Sequence, residues 1–80
     1  MYVITTNNIC GVKLEETCYL CWQNSVWDED GYFWTSKDAV NEILKMGNNT
    51  KEHPFLFEIE TQANLFAKRL EITDYVIEKW

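Results

Sequence analysis

The segment Cys18–Trp34, CYLCWQNSVWDEDGYFW, constrains this chain more than any other stretch. Its seventeen residues hold three of the four Trp, two of the four Tyr and one Phe around the acidic run Asp28-Glu29-Asp30-Gly31. Thr17–Trp27 is rich in β-formers, and an Asp-rich turn closed by Gly31 leads back into Tyr32–Trp34. Glycine supplies a positive φ without steric cost, so the pattern predicts a β-hairpin with an acidic four-residue loop. Strand alternation sends Tyr19, Cys21 and Gln23 to one side and Leu20, Trp22 and Asn24 to the other. Both sides are partly apolar, so this strand is either buried on two faces or carries an exposed aromatic face.

The flanking sequence supplies the remaining elements. Tyr2–Thr5 reads as a first strand, and Gly11 permits a turn into a second beginning at Val12–Glu16. Thr35 or Ser36 starts a helix, with Thr35-x-x-Asp38 approximating a capping box. Ala39, Val40, Ile43 and Leu44 form its apolar stripe, and Gly47 stands at the C-cap position. Phe55, Phe57 and Ile59 alternate with Leu56, Glu58 and Glu60 as a strand would. Ala63, Phe66, Ala67 and Leu70 mark a second helix, and Thr73–Trp80 alternates as a closing strand. The predicted fold is α+β, a small, mostly antiparallel sheet with two helices on one face, in the order βββαβαβ. Residues 1–80 are expected to form a single domain, because a chain this short supports one core. Trp80 is the aromatic hardest to place in that core, since chain ends fray unless docked.

Charge narrows the partners. Net charge is −6. Residues 1–34 carry one base against five acids, and residues 35–80 carry six against eight. An acidic surface repels phosphate backbones and attracts basic proteins, so direct nucleic-acid binding is not expected. No apolar run reaches the roughly 18–20 residues of a membrane span, and MYVITTNN lacks a basic leader. Three cysteines suit a reduced, cytoplasmic protein better than a disulfide scaffold.

Few residues offer chemistry. Cys10, Cys18, Cys21 and His53 are the right number for a Cys3His zinc site in a small structural adaptor. Against this, Cys18 and Cys21 lie in an alternating segment that sends them to opposite faces. A cysteine–histidine enzyme can be written from the same residues, with no spacing to support it. A calcium loop fails: with Gly31 at position six, Val26 and Lys37 fall where carboxylates are required. No catalytic residue and no cofactor is therefore predicted. The expected binding residues are the acids Asp28, Glu29 and Asp30, the flanking aromatics Trp27 and Tyr32, and the pair Glu15 and Glu16. A basic protein surface is the expected partner, and a homodimer is compatible with the sequence.

The run YVIT, then YLCWQNSVWDEDGYFW, then TSKDAVNEIL resembles small accessory proteins of bacteriophages and prophages. In those, a leading strand and a Trp-containing hairpin run into a helix that opens as Thr35-Ser36-Lys37-Asp38-Ala39-Val40 does here. Anti-CRISPR and anti-restriction inhibitors are of this size and acidity. The resemblance implies a nucleic-acid mimic, a non-catalytic inhibitor in the host bacterial cytoplasm whose carboxylates meet the arginines of a nucleic-acid-binding enzyme. Asp28, Glu29 and Asp30 are the first residues it points to.

Overall fold

The computed structural model describes residues 1–9, 11–23, 31–47 and 52–80. The elements are β1 (Tyr2–Ile9), β2 (Val12–Gln23), β3 (Gly31–Thr35), α1 (Lys37–Met46), β4 (Glu52–Pro54), α2 (Glu60–Arg69) and β5 (Val76–Lys79). The α+β class and the order βββαβαβ are as the sequence predicts. The sheet runs β3-β2-β1-β5, every pairing is antiparallel, and β4 adds to β2.

β2 is the spine of the sheet. Gly11, at φ 82°, turns the chain between Ile9 and Val12, a backbone state that favours glycine. β1 then pairs with β2 in one register at Asn8–Ile9 and another at Thr5–Thr6, so β2 carries the extra residues around Glu15 and Glu16. Towards the start of β1 the two strands separate. β4 pairs there with Cys21–Gln23, and Tyr2 exchanges backbone hydrogen bonds with Phe57 at 2.6 and 2.9 Å. The segment from Glu52 to Phe57 is thus a wedge between β1 and β2. The strand expected over Phe55–Ile59 is accordingly displaced: regular pairing stops at Pro54, and exposed Ile59 becomes the N-cap residue of α2.

The helices lie on opposite faces of the sheet, which corrects the expectation that they share one. Adjacent residues of a strand point to opposite sides. Leu20 packs with Ile4 and with Ala63 and Ala67 of α2. Its neighbour Cys21 packs with Val40 and Ile43 of α1. The register carries the division across the sheet, with Trp34 opposite Leu20 on the α2 side and Phe33 opposite Cys21 on the α1 side. The physical reason is the two-sided apolar character of β2, since each face needs its own cover.

Local signals set both helices. Ser36 caps α1, its hydroxyl accepting the Ala39 N–H at 3.2 Å, and Gly47 ends it at φ 61°. The cap is one residue later than the Thr35 box would place it. The stripe on α1 is narrower than expected: Val40 and Ile43 are buried, but Leu44 is 40% exposed. α2 buries Ala63 and Ala67 and ends in a Schellman motif without glycine. The Ile72 N–H donates to the Ala67 carbonyl and the Glu71 N–H to that of Lys68, with Glu71 itself at φ 61°.

Trp80 is docked. Its N–H donates to the Met1 carbonyl at 2.9 Å, its ring meets Tyr19 edge-on at 5.6 Å, and the Lys37 ammonium lies 5.8 Å from the ring centre. The hydroxyls of buried Thr5 and Thr6 donate to the carbonyls of Val76 and Asp74, fastening β1 to β5 and the residues before it. Among the described residues, no helix is long and apolar enough to cross a membrane.

Candidate functional site

Trp22 and Tyr32 are directly opposite each other on β2 and β3, so both side chains emerge on the α2 side. The wedge residues complete an aromatic row beside them. His53, paired with Trp22 in the β4 ladder, stacks on the indole at 4.6 Å. Phe55 continues the row, 6.5 Å from Trp22 and 4.7 Å from Phe66 of α2. Between these elements lies an open apolar hollow of about 280 Å³, lined by Trp22, Gly31, Tyr32, Phe55, Phe66 and Leu70. Among the described residues, no charged side chain lines it. Tyr32, 46% exposed, forms its outer lip.

The residues that line this hollow flank the acidic segment in sequence. In sequence, Asp30 precedes Tyr32 by two residues and Asp28 follows Trp22 by six. Asp28, Glu29, Asp30 and Trp27 themselves lie outside the described residues, as does Cys10. A hollow with only ring faces and methylene edges offers dispersion and burial to an apolar or aromatic side chain, or to the stem of an arginine.

Glu15 and Glu16 belong to a different place. Both are exposed where β2 slips register against β1, about 25 Å along the strand from Gln23 at the usual strand rise. Next to them is a polar hollow of about 290 Å³, lined by Thr5, Thr6, Asn8, Thr17, Asp74 and Glu78 among others. Glu15 and Glu16 are therefore set apart along β2 from the Trp22–Tyr32 hollow. Tyr19 lies between Glu16 and Trp22 on β2, its hydroxyl pKa raised above the ordinary 10.0 by burial and then by the Glu78 carboxylate.

The alternative zinc ligands are not gathered. Cys18 and Cys21 leave opposite faces of one continuous strand, as the alternation of TCYLCW predicts. Cys21 is buried towards α1, whereas His53 stacks on Trp22 on the α2 side. Among the described residues no group of three His, Cys, Asp or Glu side chains is placed to hold a metal ion.

Sequence reasoning singled out Tyr32 but missed Phe55, Phe66 and Leu70 as its companions. Phe66 and Leu70 fell on the stripe that packs α2 to the sheet, and nothing in their spacing distinguishes a core contact from the wall of a groove. The two-sided apolar character of β2 was the available signal. The fold and site together define a small α+β fold with helices on both faces of an antiparallel sheet and an open aromatic hollow beside Trp22 and Tyr32. No protein-family model, curated protein or solved structure matches the chain.

Proposed function

We propose that this protein is a non-catalytic binding inhibitor of phage or prophage origin, acting in the bacterial cytoplasm. Its target is a basic surface on a host defence or nucleic-acid-binding enzyme, such as a CRISPR effector or another nuclease. One observation carries the proposal: the hollow between Trp22, Tyr32, Phe55 and Phe66 opens where the strands lead into and out of Asp28-Glu29-Asp30. Carboxylates close in sequence to an aromatic pocket suit an arginine-rich surface, in which guanidinium groups meet the acids and an apolar side chain or arginine stem enters the hollow. The acids govern the rate of encounter, and the buried anchor governs dissociation.

The test is affinity capture from bacterial lysate with the wild type beside Tyr32→Ala and an Asp28/Glu29/Asp30→Lys triple variant. Inhibition is then measured on the captured enzyme. The proposal expects a nucleic-acid-binding enzyme that the wild type retains and inhibits in stoichiometric amounts, and that the triple variant loses. Chemical turnover of the captured partner by this protein would overturn it, as would capture that neither set of substitutions weakens.

A further inference from the structure

β5 ends the sheet, and its outer side meets no other described strand. Register fixes which of its backbone groups face outward. The Trp80 N–H donates to the Met1 carbonyl, and Tyr2, Val3, Ile4 and Thr5 pair with Lys79, Glu78, Ile77 and Val76. Hydrogen-bonded and non-bonded pairs alternate along an antiparallel ladder. Met1–Trp80, Val3–Glu78 and Thr5–Val76 are therefore the bonded pairs, and the N–H and C=O of Ile77 and Lys79 point away from β1. Tyr2, opposite Lys79, agrees with this phase: its own groups bond Phe57 on the far side of β1, at 2.6 and 2.9 Å. Such a row of unpaired donors and acceptors is a template for a further strand. On the α2 side of the edge, an open hollow of about 350 Å³ is lined by Glu60, Thr61, Asn64 and Ile77. Among the described residues, β5 alone of the strands contributes to that lining, so the hollow opens beside β5 and not over β1. On the other side of the edge, Val76 and Glu78 are exposed.

We propose that the β5 edge binds an extended basic segment of a partner protein, adding it to the sheet as an antiparallel strand. The residue opposite Ile77 exchanges both backbone hydrogen bonds with it, and its side chain points to the α2 side, because paired residues share a face. An arginine or lysine there lays its stem on Ile77 and brings its charge to Glu60, with Thr61 and Asn64 as polar neighbours. The preceding residue stands opposite Glu78 on the other face, where a second base is favoured. The following residue stands opposite Val76, where a β-branched side chain fits. Glu78 on the edge itself and a net charge of −6 make a second copy of this chain a poorer occupant than a basic strand. The Trp22–Tyr32 hollow is bounded by β3, at the opposite edge of the sheet. Strand addition at β5 neither uses nor blocks it, so this inference stands apart from the inhibitor function proposed above.

Fluorescence anisotropy with a labelled, end-blocked peptide Ser-Thr-Lys-Arg-Val-Thr-Ser tests the pairing, with circular dichroism showing that each protein variant is folded. The wild type should bind this peptide saturably. The same peptide N-methylated at its arginine keeps every charge but loses the donor to the Ile77 carbonyl, and should bind about tenfold more weakly or worse. Glu60→Lys and Glu78→Lys should each weaken the unmethylated peptide about tenfold. Lys79→Pro removes one outward N–H and leaves the β1–β5 bonds intact. It should weaken binding about fivefold, although the loss of a positive charge alone would strengthen the hold on a basic peptide. Absence of saturable binding would overturn the proposal, as would an N-methylated peptide that binds as tightly as its parent. Unchanged affinity in both lysine variants would do the same. A wild-type dimer in sedimentation velocity that Lys79→Pro dissociates would assign the edge to a second copy and equally overturn it.

Discussion

Ile43 and Leu44 are neighbours on α1 with similar side chains and opposite surroundings, so placing the same charge at each tests the helix face. Ile43 is 6% exposed against Cys21 and Val40, whereas Leu44 is on the rim. Ile43→Asp removes a buried branched side chain, at about 2–5 kcal/mol. It also leaves a carboxylate without a partner in an apolar cluster, which adds several kcal/mol unless the group takes up a proton. The whole stability of a domain this size is about 4–12 kcal/mol. Ile43→Asp should therefore leave no cooperative native state at neutral pH. Leu44→Asp gives up only part of a side chain's burial, about 1 kcal/mol. That shifts the melting midpoint by about 4–8 °C and keeps the transition cooperative. Urea unfolding followed by tryptophan fluorescence and far-ultraviolet circular dichroism separates the two outcomes. Equal damage at both positions would refute the placement of α1, as would a cooperative Ile43→Asp transition within 1 kcal/mol of wild type, to take about the smallest resolvable loss.

Other consequences are as direct. Glu71→Gly should stabilise the domain by about 0.5–1 kcal/mol in urea titration, because glycine relieves the left-handed backbone at the end of α2 and returns part of the gain as chain entropy. Trp80→Ala should cost about 2 kcal/mol through the lost edge contact with Tyr19, the Lys37 contact and their buried area, and differential scanning calorimetry reads it as a lower midpoint. Tyr19 should ionise above pH 10.0 in ultraviolet titration, and Glu78→Gln should bring it only part of the way back, since burial is the larger cause. The neutral phenol is the form the fold favours, so its contribution to stability is complete below pH 10.0 and is lost as pH rises through the folded-state value.

Much of the fold was legible because local rules wrote it. Ser36, Gly47 and the Val40–Ile43 pair mark α1, and Ala63 and Ala67 mark the buried side of α2. Gly11 marks the first turn. What escaped depends on residues far apart in the chain. Alternation along β2 showed apolar side chains on both faces, but not which helix covers which, and two helices on one face would have left Cys21 and Tyr19 bare. Periodicity gave Leu44 and Ile59 to apolar faces, yet the covering elements do not reach them. The wedge of β4 exists only because β1 and β2 part near Tyr2, and no local pattern encodes that separation. The site was half visible for the same reason. Tyr32 and the acids announce themselves by composition, whereas Phe55, Phe66 and Leu70 join Tyr32 only through the packing of the wedge and α2.

The central claim is that the acidic segment and the aromatic hollow act together on a basic partner. Surface plasmon resonance of the captured enzyme at two salt concentrations tests it most directly, comparing wild type, the Asp28/Glu29/Asp30→Lys variant and Tyr32→Ala. Wild-type association should slow as salt rises, and the lysine variant should associate more slowly still, with binding weakened by several kcal/mol. Tyr32→Ala should associate at nearly the wild-type rate and dissociate faster, by about tenfold or more for an anchor of this size. Salt-independent association, with unchanged kinetics in both variants, would contradict the account.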